Sequence, residues 1–268
     1  MTDASSGADK PWTTLPATPV LPIPQREGRV PAHGAELWYG EYGIANGGVP
    51  VLLLHGGLGS SAYFGDLIER LAASGRHVIA LDTRGHGRSS ASSVAYSYGQ
   101  LGEDVVSLLD ELGIARADIV GWSDGGTVGY LLGIVAPDRV ARLLAFGANA
   151  RQSGLIEGYD ETPTFNAYVE RTGHEYVDPD TYSDFLAQIA GMWDSEPSIA
   201  DDELATIAAP VTIAVGQYDE GIDRRHAQDI ANAIPNANLV VLPDVSHFAM
   251  LQKPELFAET VQSFLRWR

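Results

Sequence analysis

The sequence predicts an α/β protein: a mostly parallel central sheet flanked by helices, with a helical cap inserted late in the chain. Two observations carry this. Short apolar runs of strand length recur along the chain, and they alternate with segments whose apolar residues repeat at helical spacing. That alternation breaks once, over residues 151–208, and then resumes. Strands separated by helices need right-handed crossovers, which set consecutive strands parallel.

Residues 1–26 are rich in Pro, Ser, Thr and Ala and read as a flexible leader. Residues 27–150 and 209–268 supply the core. Within it, residues 35–42 alternate like a half-buried strand, whereas 51–54 and 77–81 are apolar throughout, as strands covered on both faces are. Strands of the same kind follow at 118–122, 143–146, 211–215 and 239–242. Helical patterns occupy 63–74, 98–112, 125–136, 225–234 and 254–267. In the second of these, Leu101, Val105, Leu108, Leu109 and Leu112 form one buried face. The interruption at 151–208 offers no clear strand and carries Tyr159, Phe165, Tyr168, Tyr176, Tyr182, Phe185 and Trp193. It reads as a cap over the C-terminal edge of the sheet.

Composition narrows the function. With 35 acidic against 17 basic residues, the net charge of −18 repels polyanions and argues against nucleic acid as a partner. The absence of cysteine removes disulfides, thiolate metal sites and a cysteine nucleophile together. No basic start followed by an apolar run marks a secretory signal, and no apolar stretch is long enough to cross a bilayer. A soluble, cytoplasmic protein that works away from membranes, as monomer or homodimer, is the default expectation.

Gly121-Trp-Ser-Asp-Gly125 is the central motif. Alone, G-x-S-x-G is weak, with on the order of 0.2 chance matches in a chain this long and this rich in glycine. Its setting makes it informative. A β-run (Ile119-Val120) leads in and a small-residue helix start (Gly125-Gly-Thr127) leads out, the context in which a serine sits on a sharp strand-to-helix turn above the sheet. Ser123 is therefore the expected nucleophile. It needs a base, and His247 follows the last predicted strand in a loop before the final helix. The base needs an acid to fix its tautomer. Asp219 is expected in that role, with Glu220 its immediate rival. For the oxyanion, Gly57 and Leu58 bare backbone amides after a buried strand, and the amide of Asp124 follows the nucleophile. No metal-ligand or phosphate-loop spacing appears, so neither metal nor organic cofactor is expected.

Taken together, His55-Gly-Gly-Leu-Gly59, Asp82-Thr-Arg-Gly-His-Gly-Arg-Ser89, the Ser123 turn, Gly216-x-x-Asp219 and Ser246-His-Phe248 resemble the α/β-hydrolase superfamily in order and spacing. The likeness runs from about residue 29 to the C-terminus. Gly121-Trp-Ser-Asp-Gly-Gly126 looks like the valacyclovir hydrolase-like branch of small-molecule esterases. Epoxide hydrolases and haloalkane dehalogenases carry an aspartate where this chain has Ser123. The resemblance implies an α/β-hydrolase fold and a cofactor-free serine hydrolase, carboxylesterase-like (EC 3.1.1), acting on small-molecule esters, activated amides or lactones. It also leaves open a C–C bond hydrolase or perhydrolase with the same triad, or a low-turnover ligand receptor. In that branch the acid after the nucleophile binds a substrate amino group, which would fall to Asp124; a carboxylate in a first helical turn is also favoured by the helix dipole alone. Trp122, Phe165 and Trp193 are the further substrate-binding candidates, although the cap's aromatic residues also suffice to pack its own small core. Arg84 and His86 fall in a turn that reads as scaffold near the pocket.

Overall fold

A computed structural model of the chain describes residues 10–92 and 94–266. Eight strands form one sheet: β1 (Arg26–Ala32), β2 (Ala35–Tyr42), β3 (Val51–Leu54), β4 (Val78–Leu81), β5 (Ala117–Trp122), β6 (Val140–Phe146), β7 (Val211–Gly216) and β8 (Ala237–Leu242). Their order is β1-β2-β4-β3-β5-β6-β7-β8. β2 is antiparallel to both of its neighbours, β1 and β4, and from β4 to β8 every pair is parallel.

Helices cover both faces, as a parallel sheet requires. On one face lie α2 (Tyr98–Glu111) and α3 (Asp124–Val135), followed further along the chain by α7 (Arg224–Ala233). On the other lie α1 (Gly65–Ala73) and α9 (Pro254–Arg266). Side chains of β3 alternate between the two: Leu52 and Leu54 enter the first core, Val51 and Leu53 the second, and all four are fully buried. Residues 151–208 contribute α4 (Pro163–Glu175), α5 (Tyr182–Ser195) and the one-turn α6 (Asp201–Leu204), together with short 3-10 turns and no strand beyond isolated bridges. Thr162 caps α4 by accepting from the Phe165 amide, and Pro163 fills its first position, where a missing N–H costs nothing. The one-turn helix α8 (Ala249–Gln252) precedes α9.

Two expectations are corrected. The strand at 35–42 is buried on both faces rather than half-buried. Pro24 lies close to Gly40, and the Arg88 guanidinium sits 4.5 Å above the Trp38 ring, so the face expected to be wet is covered. The leader is likewise not loose over its described part. Residues 10–25 run along the surface as a strap: Trp12 stacks on Tyr218 at 4.1 Å, and the Arg171 guanidinium donates to the Leu15 and Pro16 carbonyls. Thr18 donates to Glu175 at 2.7 Å, and Gln252 donates to the Thr14 carbonyl at 2.9 Å. Residues 1–9 lie outside the described part. Among the described residues no helix is long and apolar enough to cross a membrane.

Candidate active site

The sheet order reverses at β3, and clefts form outside the carboxyl ends of strands at such a point. Every chemistry-bearing residue expected from the sequence follows a strand end there. Ser123 joins β5 to α3 with φ 53° and ψ −120°, a conformation that L-residues adopt only under constraint. The constraint is steric closeness. A Cβ on Gly121 would lie 2.3 Å from the Gly125 carbonyl oxygen, and one on Gly125 would lie 2.1 Å from the Leu54 carbonyl oxygen. Only glycines on both sides let helix α3 start so near β3 and β5.

His247 lies in the loop after β8, and its Nδ1 faces Asp219 Oδ1 at 3.0 Å and Oδ2 at 3.3 Å. Asp219 follows β7 and is buried; its Oδ1 also accepts the Gly221 and Ile222 amides at 3.0 and 2.9 Å. These bonds turn the carboxylate toward the imidazole. Burial pushes His247 toward the neutral form, but the charge of Asp219 and its hydrogen bond, helped by Glu220 and Asp124, outweigh this and raise its pKa above the usual value. Glu220 is engaged elsewhere: it accepts the His247 backbone amide at 3.0 Å and the Thr164 hydroxyl at 2.5 Å. Asp219 is thus the acid that reaches the ring. Ser123 and His247 face one cavity, which Phe165 and Trp193 from the cap also line, with Tyr98, Tyr159 and Phe248.

The loop after β3 is held from three sides. His55 donates from Nδ1 to the Gly56 carbonyl (2.8 Å) and accepts the Thr83 amide at Nε2 (3.1 Å). His86 donates from Nδ1 to the Arg84 carbonyl (2.8 Å) and accepts the Leu58 amide at Nε2 (3.1 Å). The Tyr168 hydroxyl of α4 donates to the Gly57 carbonyl at 2.6 Å. Both imidazoles are therefore neutral with a fixed tautomer, and burial drives both pKa values down, that of His86 to about 3. The expectation for Leu58 is corrected: at φ 66° its amide turns back to His86 and is spent there. Among the described residues no backbone acceptor takes the amides of Gly57 or Asp124, which stay open to an oxyanion.

Asp124 is more than a first-turn acid. Its side chain is buried, and it accepts from the Tyr98 hydroxyl at 2.8 Å and from the Trp193 indole at 3.1 and 2.9 Å. All its donors are neutral, so the carboxylate has no cation beside it, and burial raises its pKa. Sequence reasoning did not foresee this clamp, because Tyr98 and Trp193 lie far from Asp124 in the chain. Trp122 is also corrected. It points from β5 into the core between Tyr63, Tyr168 and Phe248, is 1% exposed, and does not line the cavity. Arg84 is fully buried in a bidentate pair with Asp104, 2.6 Å on each arm, and serves the scaffold. His86 borders a small neighbouring void behind the Gly57 loop.

Comparison with known proteins bears on the family and the fold. Residues 51–260 match the alpha/beta hydrolase family. The chain is 28% identical over 247 residues to the dihydrolipoyllysine-residue acetyltransferase component of the acetoin cleaving system of Pseudomonas putida; the match takes 82% of this chain but only 64% of that protein's length. It is 25% identical over 253 residues to the serine hydrolase BPHL of Homo sapiens, covering 89% of this chain and 86% of that one. Among solved structures, Est816, an N-acyl homoserine lactone degrading enzyme, superposes with a TM-score of 0.72 at 27% identity over 88% of this chain and 100% of its own. The fold, the glycine-flanked serine turn and a match running from β3 into α9 agree: the chain belongs to the alpha/beta hydrolase family.

Proposed function

We propose that the protein is a serine hydrolase that cleaves small-molecule carboxylic esters, including lactones, through an acyl-enzyme on Ser123. The observation that carries this reading is the Asp219–His247 pair facing the same cavity as Ser123 on its constrained turn. In the reaction His247 takes the Ser123 proton as the serine attacks the carbonyl carbon, and the amides of Gly57 and Asp124 receive the oxyanion. His247 then gives the proton to the leaving alcohol. Water, activated by the same imidazole, releases the acid. Asp219 stays ionised and holds the ring.

The cavity lining suggests the substrate's character. Tyr98, Tyr159, Phe165, Trp193 and Phe248 suit an apolar or aromatic moiety. Asp124, Glu196 and Glu220 are its acidic members, with no Lys or Arg beside them. Esters of anionic acids are therefore poor substrates in this reading, and a substrate amino group would find a partner in Asp124.

The test is turnover of p-nitrophenyl esters from acetate to octanoate by wild type and Ser123→Ala, before and after a fluorophosphonate probe. Multiple turnover lost with both supports the esterase, and the chain-length optimum sizes the pocket. Labelling of Ser123 without turnover turns the reading toward a C–C bond hydrolase, a perhydrolase or a ligand receptor. Equal rates in wild type and Ser123→Ala would sink the mechanism.

A further inference from the structure

Glu220 stands beside the acid of the proposed triad yet takes no part in it. Its two carboxylate oxygens serve two different parts of the molecule. Oε2 accepts the backbone N–H of His247 at 3.0 Å, and Oε1 accepts the hydroxyl of Thr164 at 2.5 Å. Thr164 lies in the first turn of α4, is 7% exposed and offers that hydroxyl to no other acceptor among the described residues. Glu220 borders the cavity, and no Lys or Arg forms an ion pair with it among the described residues.

The base has two separate needs. Asp219 fixes the rotation and tautomer of the imidazole through Nδ1, but this does not fix where the main chain carries the ring. Neighbouring bonds hold the loop just before His247: the Asp244 amide donates to Gln217 Oε1 at 3.1 Å, and the Ser246 amide donates to Gln252 Oε1 at 2.7 Å. At His247 itself the anchor is Glu220. A charged acceptor holds an amide more strongly than a neutral one, and the bond is partly shielded from water. The same carboxylate reaches the cap, so the seating of α4 on the core and the seating of the base share one side chain.

We propose that Glu220 is a positioning residue: its carboxylate fixes the main chain of His247 and ties it, through Thr164, to cap helix α4, so that the docked cap sets the base. The inference rests on the serine hydrolase reading, since it assigns His247 the role of base. The ionisable groups that face His247 are Asp219, Glu220 and Asp124, all acidic, so Glu220 also adds to the field that favours the imidazolium.

Three variants separate these effects. Glu220→Ala removes both bonds and the charge. Glu220→Gln keeps an acceptor for the His247 amide and an N–H for Thr164 but removes the charge. Thr164→Val removes only the tie to the cap. Each is measured for thermal midpoint, for kcat and KM against pH on the best p-nitrophenyl ester, and for the His247 ring titration by NMR. We expect Glu220→Ala to lose about tenfold or more in kcat with a much smaller change in KM, because a base displaced by a fraction of an ångström fails mainly in the chemical step. Glu220→Gln should lose less kcat than Glu220→Ala, while the acidic limb and the ring titration both move to lower pH. Thr164→Val should lose part of the kcat that Glu220→Ala loses, with the ring titration nearly in place.

Wild-type kcat in Glu220→Ala, or ring titration and acidic limb unmoved in Glu220→Gln, overturns the proposal. Should Glu220→Ala fail to fold, the other two variants decide. The ring titration needs no turnover. A wild type without esterase activity whose His247 still shifts in Glu220→Gln would defeat the hydrolase reading and leave the Glu220–His247 link standing.

Discussion

The indole N–H of Trp193 points at both oxygens of Asp124, 3.1 Å from Oδ1 and 2.9 Å from Oδ2, and so fastens the second cap helix to the first turn after the nucleophile. With Tyr98 on the same carboxylate, a buried charge is satisfied wholly by neutral donors. Trp193→Phe keeps the ring and removes the donor, leaving a buried carboxylate short of a partner. We expect a loss of about 1–3 kcal/mol in urea unfolding, with a higher KM as the cap loosens. Unchanged stability and KM would show that this bond does not hold the cap.

Because the charge of Asp219 holds the His247 pKa above its ordinary 6.5, protonation should silence the base early on the acid side. The neutral ring is the active form, so kcat/KM should fall as pH drops through a value above 6.5, and not below it. Asp219→Asn should shift that limb to lower pH and reduce kcat by about 10³–10⁴-fold. A pH–rate profile of the wild type with its acidic limb below 6.5 contradicts the electrostatics described above.

His86 leads to a stability prediction of its own. Its folded pKa of about 3 lies below the ordinary 6.5, so between those values the unfolded chain binds the extra proton. Stability from this residue is complete above 6.5 and is lost progressively as pH falls toward 3, by up to about 5 kcal/mol at the acid end. His55, shifted the same way by burial, adds to the effect. Denaturant unfolding from pH 7 to pH 4 should show this slope. His86→Gln, which can still accept the Leu58 amide, should flatten it.

Gly125→Ala tests the elbow. Its methyl would sit 2.1 Å from the Leu54 carbonyl oxygen and 2.8 Å from that of His55, and backbone atoms cannot move aside singly. We expect loss of soluble protein, or a folded protein with activity reduced at least about a hundredfold as Ser123 is displaced. Near wild-type kcat would mean that the helix start tolerates a shift.

How much of this could be read from the sequence depends on how local each signal is. The apolar runs of β3 to β7 are buried on both faces, and such runs announce themselves. β1 did not, because Arg26-Glu-Gly-Arg29 lies on the sheet edge, mostly exposed, with only Val30 and Ala32 turned inward. Ser123, Asp219 and His247 were legible because each follows a strand at a fixed offset. What escaped was relational. Leu58 and Gly57 are adjacent and alike in sequence, and only the positive φ of Leu58 assigns its amide to His86. Trp122 lies next to the nucleophile, but strand alternation turns its ring away from the cavity. The partners of Asp124 and Glu220 come from α2, α4 and α5, and no local pattern pairs residues across that distance.

The strap over residues 10–25 bears on the order in which the molecule is assembled. Its tethers join residues 155, 157 and 238 positions apart in the chain: Arg171 to Pro16, Thr18 to Glu175, and Gln252 to Thr14. Contacts of such separation form late, because the loop they close must already be folded. During synthesis residues 12–18 leave the ribosome well before Arg171, Glu175, Tyr218 and Gln252 exist, and the last of these ties waits until α8 has been made. Protein that has its sheet but lacks its strap should therefore accumulate briefly in refolding, with Trp12 not yet stacked on Tyr218. The slowest step of folding would then be seen at the segment made early.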